Sequence, residues 1–129
     1  QPLPLATEHE TVLLVEDEPG VRSLVKRTLG RHGYRVLDAS TAAEGLELVA
    51  KHGSEIDVVL TDVVMAVMNG PQMVAKIRET LPSMKVLFMS GHAGEAIKAG
   101  GKLEASDHLL EKPFYAHDLL KAVRELLDE

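Results

Sequence analysis

Asp62 closes an apolar run, Ile56-Asp57-Val58-Val59-Leu60-Thr61, and so stands where a buried strand would release its last residue to solvent. Glu16 and Asp17 close an earlier run, Thr11-Val12-Leu13-Leu14-Val15, Ser90 closes a third, Val86-Leu87-Phe88-Met89, and Lys112 follows Leu109-Leu110. In an open parallel sheet, ligands bind outside the carboxyl ends of the strands. Three carboxylates, a hydroxyl and a lysine are therefore expected on one rim. That set suits holding a divalent cation and a phosphoryl group beside a nucleophilic aspartate. A small hard cation such as Mg2+ takes oxygen ligands, typically one or two carboxylates with water and phosphate. Without a cation, three clustered carboxylates would repel one another and one would retain a proton. Asp62 is the candidate nucleophile, because carboxylates can form aspartyl phosphates. Lys112 offers a point charge to Asp62 and to phosphate oxygens, and Ser90 a hydrogen bond. Taken singly each residue is ordinary, since most Asp and Glu side chains are simply solvated. Their shared position at strand ends is what marks a site.

The bulk composition narrows the setting. A chain of 129 residues makes one domain with room for a real core. A net charge of −6 argues against a nucleic-acid surface, which needs clustered Lys and Arg. Aromatics are confined to Tyr34, Phe88, Phe114 and Tyr115, too few for base-stacking platforms. No apolar stretch approaches the ~20 residues of a membrane helix, so no membrane contact by this domain is expected. The start lacks the pattern of a signal peptide, and the absence of cysteine removes disulfides and thiolate metal sites. A cytoplasmic location fits. The six histidines show no metal-ligand spacing, and His92 alone lies near the proposed rim.

Strand-like and helix-like segments alternate five times after a leader, residues 1–10, that holds two prolines and no periodicity and reads as a linker or tail. Val12 to Val15 is continuously apolar, as in a strand covered on both faces. Pro19 suits a helix N1 position, and Val21, Leu24, Val25, Thr28 and Leu29 follow at helical spacing up to His32-Gly33. Tyr34 to Asp38 is a mixed strand placed nearer the sheet edge. Thr41 with Glu44 makes a capping box, Leu46, Val49 and Ala50 form an inner helix face, and Gly53 ends it. Asn69-Gly70-Pro71 is a turn and helix start before Met73, Val74, Ile77 and Leu81. Gly94 to Ser106 reads as a short or loose element, His108 to Glu111 as a brief strand, and Leu119 to Leu127 as a final helix. Alternation of this kind implies right-handed βαβ units and a parallel sheet.

Val12-Leu13-Leu14-Val15-Glu16-Asp17-Glu18-Pro19, Thr61-Asp62-Val63-Val64-Met65, Met68-Asn69-Gly70, Met89-Ser90-Gly91 and Glu111-Lys112-Pro113-Phe114 together resemble the receiver domain of two-component response regulators. The resemblance runs from Thr11 to the C-terminus and gives residues 11–129 as the receiver. It implies a single-domain (βα)5 flavodoxin-like fold, a five-stranded parallel sheet of order 2-1-3-4-5 with helices on both faces. It further implies that Asp62 accepts a phosphoryl group from a histidine of a histidine kinase or histidine phosphotransfer domain. Asp17, Asp62 and the Val64 carbonyl would bind Mg2+, with Glu16 acting through water. Ser90 and Lys112 would contact the phosphoryl oxygens, and Lys112-Pro113 would be a cis peptide. A weak homodimer is compatible with the family.

Several positions depart from the family pattern. Glu16 stands where Asp is frequent, Ala66 where Pro usually follows the methionine, and Leu109 where an aromatic switch residue commonly lies. Val64 and His92 occupy positions that influence hydrolysis in this family, and an apolar Val64 cannot orient a water. Slow self-dephosphorylation is the expectation. The Met89-Ser90-Gly91-His92 stretch and the proline-bearing leader are most like receivers at the C-terminal end of hybrid histidine kinases; a stand-alone regulator is the alternative. An aspartyl-nucleophile phosphohydrolase would want an acid/base Asp where Val64 stands. A flavodoxin-like cofactor binder would want a Gly/Ser/Thr-rich loop after the first strand. A receiver that binds partners without phosphorylation sits poorly with an intact Asp62 and Lys112.

Overall fold

The computed structural model describes residues 10–91 and 108–129. Five parallel strands form one sheet: β1 (Thr11–Val15), β2 (Arg35–Ala39), β3 (Val58–Asp62), β4 (Lys85–Ser90) and β5 (His108–Glu111), in the order β2-β1-β3-β4-β5. Four helices accompany them among the described residues: α1 (Pro19–Arg31), α2 (Ala42–His52), α3 (Gly70–Thr80) and α4 (Ala116–Leu127). The leader up to His9, the Gly94–Ser106 element and His92 lie outside the described residues.

The period-two alternation of strand side chains divides the core into two layers. Leu13, Val15, Val59, Val86 and Phe88 point to one face, where α2 and α3 add Ala42, Val49, Met73, Val74 and Ile77. Val12, Leu14, Val58, Leu60, Leu87 and Met89 point to the other, beneath Val25 and Leu29 of α1 and Leu119, Leu120, Val123 and Leu126 of α4. Because both faces are covered, β1 and β3 bury every residue, which is why they read as unbroken apolar runs. The mixed strand β2 is an edge, as its sequence suggested, and the short β5 forms the other.

Helix starts carry the local chemistry that the sequence advertised, with two differences. Thr41 Oγ1 accepts the Glu44 amide at 3.1 Å, but the Glu44 carboxylate turns to the Ser40 and Thr41 hydroxyls instead of closing the box on the Thr41 amide. A full reciprocal box occurs at α3, where Asn69 and Gln72 cap each other; both side chains reach the orphan amides of the first turn. The α2 helix also continues through one 3-10 turn, Gly53–Glu55, before the chain enters β3.

Candidate functional site

The parallel register sets the strand ends side by side. Val15 is level with Thr61, Asp62 with Met89, and Ser90 with Glu111, so the residues that follow β1, β3, β4 and β5 emerge on the same rim. Carboxylate oxygens of Glu16, Asp17 and Asp62 lie within 4.8 Å of one another. Lys112 reaches into this group: its Nζ is 2.6 Å from Asp62 Oδ1 and 2.9 Å from Glu16 Oε1. The Lys112 amide donates to the Ser90 carbonyl at 2.7 Å, fixing the lysine against β4. The Lys112-Pro113 peptide is cis. Ser90 is buried at the end of β4, and Asp17 is exposed at the mouth of the group.

The electrostatics follow from burial. Glu16 is fully buried and Asp62 is 4% exposed, so both lose hydration that would favour the charged form. For Asp62, burial and the hydrogen bond shared with the Glu16 carboxyl outweigh the Lys112 ammonium, and its pKa is pushed up to about 8. Burial also acts to raise Glu16, but hydrogen bonds from Asp62, Lys112 and the Glu18 amide prevail and hold it below the usual carboxylate range. Lys112 is disfavoured as a cation by its own burial, yet its two carboxylate partners keep it charged and raise its pKa. Crowding of the two buried carboxyls thus favours a single proton shared between them. A divalent cation would displace it.

The loop from β3 to α3 is pinned at both ends. The Val63 amide donates to the Met89 carbonyl at 3.0 Å, and the Gly70 amide to the Val63 carbonyl at 2.8 Å. The second contact brings α3 so close that a Cβ on Gly70 would lie 2.1 Å from the Asp62 carbonyl oxygen. Between the pins, Met65 is buried while Val64 is 55% exposed and Val67 fully so. The Met68 amide donates to the Ala66 carbonyl at 2.8 Å across Val67, whose φ is 69°. This is a γ-turn with positive φ at its centre, a strained choice for a β-branched residue. Leu109 packs against the α2/α3 side of the core, level with Phe88.

Glu16, Asp17, Asp62 and Lys112 are thus brought together, with Ser90 and the loop bearing Val64 on the same rim. Sequence reading missed Arg22, whose guanidinium donates to the Glu16 carbonyl at 2.9 Å. Its position, four residues after Glu18, was the available signal.

A parallel α/β domain with an acidic pocket and a lysine at its carboxyl rim defines the CheY-like, flavodoxin-like receiver class. Residues 12–124 match the model of the response regulator receiver domain, and the chain belongs to that family of two-component signalling domains. Among curated proteins it is 40% identical over 119 residues to the sensor kinase CckA of Brucella abortus, covering 92% of this chain and 13% of that protein. It is 28% identical to the response regulator receiver protein CpdR of the same organism, covering 90% of this chain and 95% of CpdR. Its fold matches the receiver domain of the hybrid histidine kinase CckA with a TM-score of 0.79 at 32% identity, over 91% of this chain and 98% of that one. A receiver protein from Sinorhizobium medicae matches with a TM-score of 0.82, also at 32% identity, over 95% and 98% of the two chains. The chain spans 13% of CckA and 48% of the transcriptional regulatory protein YvrH of Bacillus subtilis. Among the described residues, no helix is long and apolar enough to cross a membrane.

Proposed function

We propose that Asp62 is the phosphoacceptor of this receiver. The supporting observation is the triangle of Lys112 Nζ, Asp62 Oδ1 and Glu16 Oε1, with sides from the ammonium of 2.6 and 2.9 Å. An Asp62 carboxylate oxygen attacks the phosphorus of a phosphohistidine, forming an O–P bond as the P–N bond breaks. The electron pair of that bond goes to the imidazole nitrogen, which takes up a proton. Lys112 then exchanges its contact with Asp62 for a phosphoryl oxygen, and the Ser90 hydroxyl donates to another. The donor set fits Mg2+: clustered carboxylates with one group held protonated by crowding suit a hard divalent ion. Glu16, Asp17, Asp62 and the Val64 carbonyl would hold it, and the ion would neutralise charge building on the phosphoryl oxygens.

The partner we assign is a histidine kinase or histidine phosphotransfer domain, and the resemblance to CckA favours a receiver module of a hybrid histidine kinase, residues 11–129 with 1–10 as linker, in the cytoplasm. Two features of α1 support docking of such a partner beside the rim. The helix carries Arg22, Lys26, Arg27 and Arg31 and no acid. Beside it an apolar groove of about 370 Å³, lined by Val21, Leu24, Val25, Lys112, Pro113 and Phe114, opens next to the rim. An apolar helical surface with an acidic margin complements both. The phosphohydrolase reading is disfavoured, since Val64 has no proton to give or take. For the same reason the aspartyl phosphate should be long-lived; Val64→Asn should shorten its half-life, measured by intact mass against time.

Incubation with Mg2+ and a small acyl phosphate, followed by intact mass measurement, tests the assignment. One phosphoryl group should be added to the wild type and none to Asp62→Asn. Equal addition to both proteins would remove Asp62 from the role, and steady release of phosphate would restore the hydrolase.

A further inference from the structure

We infer that Arg22 is the positioning residue of the acidic pair, holding the Glu16-Asp17-Glu18 loop in the one conformation that aims both carboxylates into the rim. The inference rests on the reading of that rim as a cation and phosphoryl site. Two contacts carry it. The Arg22 guanidinium donates to the Glu16 carbonyl at 2.9 Å. The bond from the Arg22 amide to the Glu18 carbonyl, also 2.9 Å, is the helix's own i→i−4 bond, which any residue here would make, so the side-chain bond is what is particular to arginine. Within the loop, the Glu18 amide donates to Glu16 Oε2 at 3.1 Å, which sets the rotamer of the buried acid.

Geometry explains why a guanidinium serves here. Glu16 lies one residue past the end of β1, so its carbonyl has left the strand ladder while the residue is fully buried. A carbonyl so placed must find a donor. Arg22 reaches it from the helix above while its Nε stays 3.7 Å from Asp38 Oδ2 of β2. Lys26, one turn further along, holds the other oxygen of Asp38 at 2.9 Å. The guanidinium spreads its donors over a rigid planar fork, so Nη1 meets the carbonyl while Nε faces Asp38; an ammonium gathers its donors on one atom and can reach the carbonyl alone. The side chain is 22% exposed and touches no rim carboxylate, so it orients the loop without occupying the site. Groups that orient metal ligands from behind typically account for 10–100-fold in metal affinity.

The test uses Arg22→Met, which keeps the apolar stem and removes every donor, with Arg22→Lys and Asp38→Asn as partners. In Arg22→Met the Mg2+ dissociation constant, measured calorimetrically, should rise at least about tenfold. Phosphoryl uptake from an acyl phosphate should fall at low Mg2+ and recover at high Mg2+, because the chemistry itself is untouched. Hydrogen exchange at the Glu18 amide should quicken in protein prepared without Mg2+. Arg22→Lys should restore much of the affinity, and Asp38→Asn should change it less than about twofold. Unchanged Glu18 exchange with Mg2+ affinity within about twofold of wild type in Arg22→Met would overturn the inference. So would an Asp38→Asn protein that matches Arg22→Met in every readout, since the role would then be to anchor α1. Should Arg22→Met fail to fold, Arg22→Lys decides: near-normal affinity supports the inference and a tenfold loss with an unchanged Glu18 amide sinks it. If the wild type takes up no phosphoryl group, the proposed function fails on its own, and Glu18 exchange still judges Arg22.

Discussion

At the scale of residues, Asp62 and Glu16 share one ammonium and part ways because only one of two crowded, buried carboxyls can ionise freely. Burial and the Glu16 carboxyl push Asp62 up to about 8, while hydrogen bonds hold Glu16 below the usual carboxylate range against its own burial. The direction of the pH dependence follows. A carboxyl whose folded value lies above its ordinary 3.8 is protonated in the folded chain and ionised in the unfolded one across that interval. By itself it makes the cation-free protein lose stability as pH rises from about 4 to about 8. Binding of Mg2+ must release that proton, so affinity should climb as pH rises toward 8, by up to about tenfold per pH unit, and level off above it. Calorimetric titrations at several pH values in two buffers of different protonation enthalpy would show the proton leaving. Asp62→Asn should abolish the proton release; a pH-independent affinity in the wild type would contradict the shared-proton picture.

At the scale of elements, the β3–α3 connection concentrates the constraints. Gly70 leaves no room for a Cβ beneath the Asp62 carbonyl, so Gly70→Ala must push α3 off the strand end. Crowding against fixed backbone should cost about 3 kcal/mol, seen as a fall in Tm of roughly 10 °C. Val67 presents the opposite case. Its side chain is fully exposed and packs on nothing, while its backbone holds φ at 69°. Val67→Gly should remove about 1–3 kcal/mol of strain against ~0.5–1 kcal/mol of added chain entropy, a net gain near 1 kcal/mol by denaturant unfolding. A loss of stability would mean that the turn is held by more than the Ala66–Met68 bond. The sequence does not place a γ-turn at Val67, because valine gives no local signal for positive φ. Conversely, the Asn69-Gly70-Pro71 start was legible, since an N-cap side chain and a proline in the first turn act through neighbouring backbone alone, whereas the approach of Gly70 to the Asp62 carbonyl is tertiary.

At the scale of the whole molecule, the described ends of the chain are fastened to each other. Glu10, just before β1, makes a two-pronged ion pair with Arg124 of α4 at 2.8 Å through both nitrogens, and Arg124 also holds Asp128 and the Tyr34 hydroxyl. A double-mutant cycle on Glu10→Gln and Arg124→Met should return a coupling of about 1–2 kcal/mol, reduced by salt; additive losses would reduce the pair to a solvated contact. The sequence by itself determined the five strands, their parallel pairing and the candidate rim residues, while the strand order followed from the resemblance to receiver domains. A strand buried on both faces must be apolar throughout, and the first polar residue after it marks the rim. Only the tertiary structure decided that Glu16 is wholly buried, that Lys112 closes on it from 96 residues away, that Arg22 turns back to grip its carbonyl, and that Glu10 finds Arg124 across 114 residues. Those pairings depend on distances between elements, which local periodicity does not encode and which packing of the two layers against the sheet supplies.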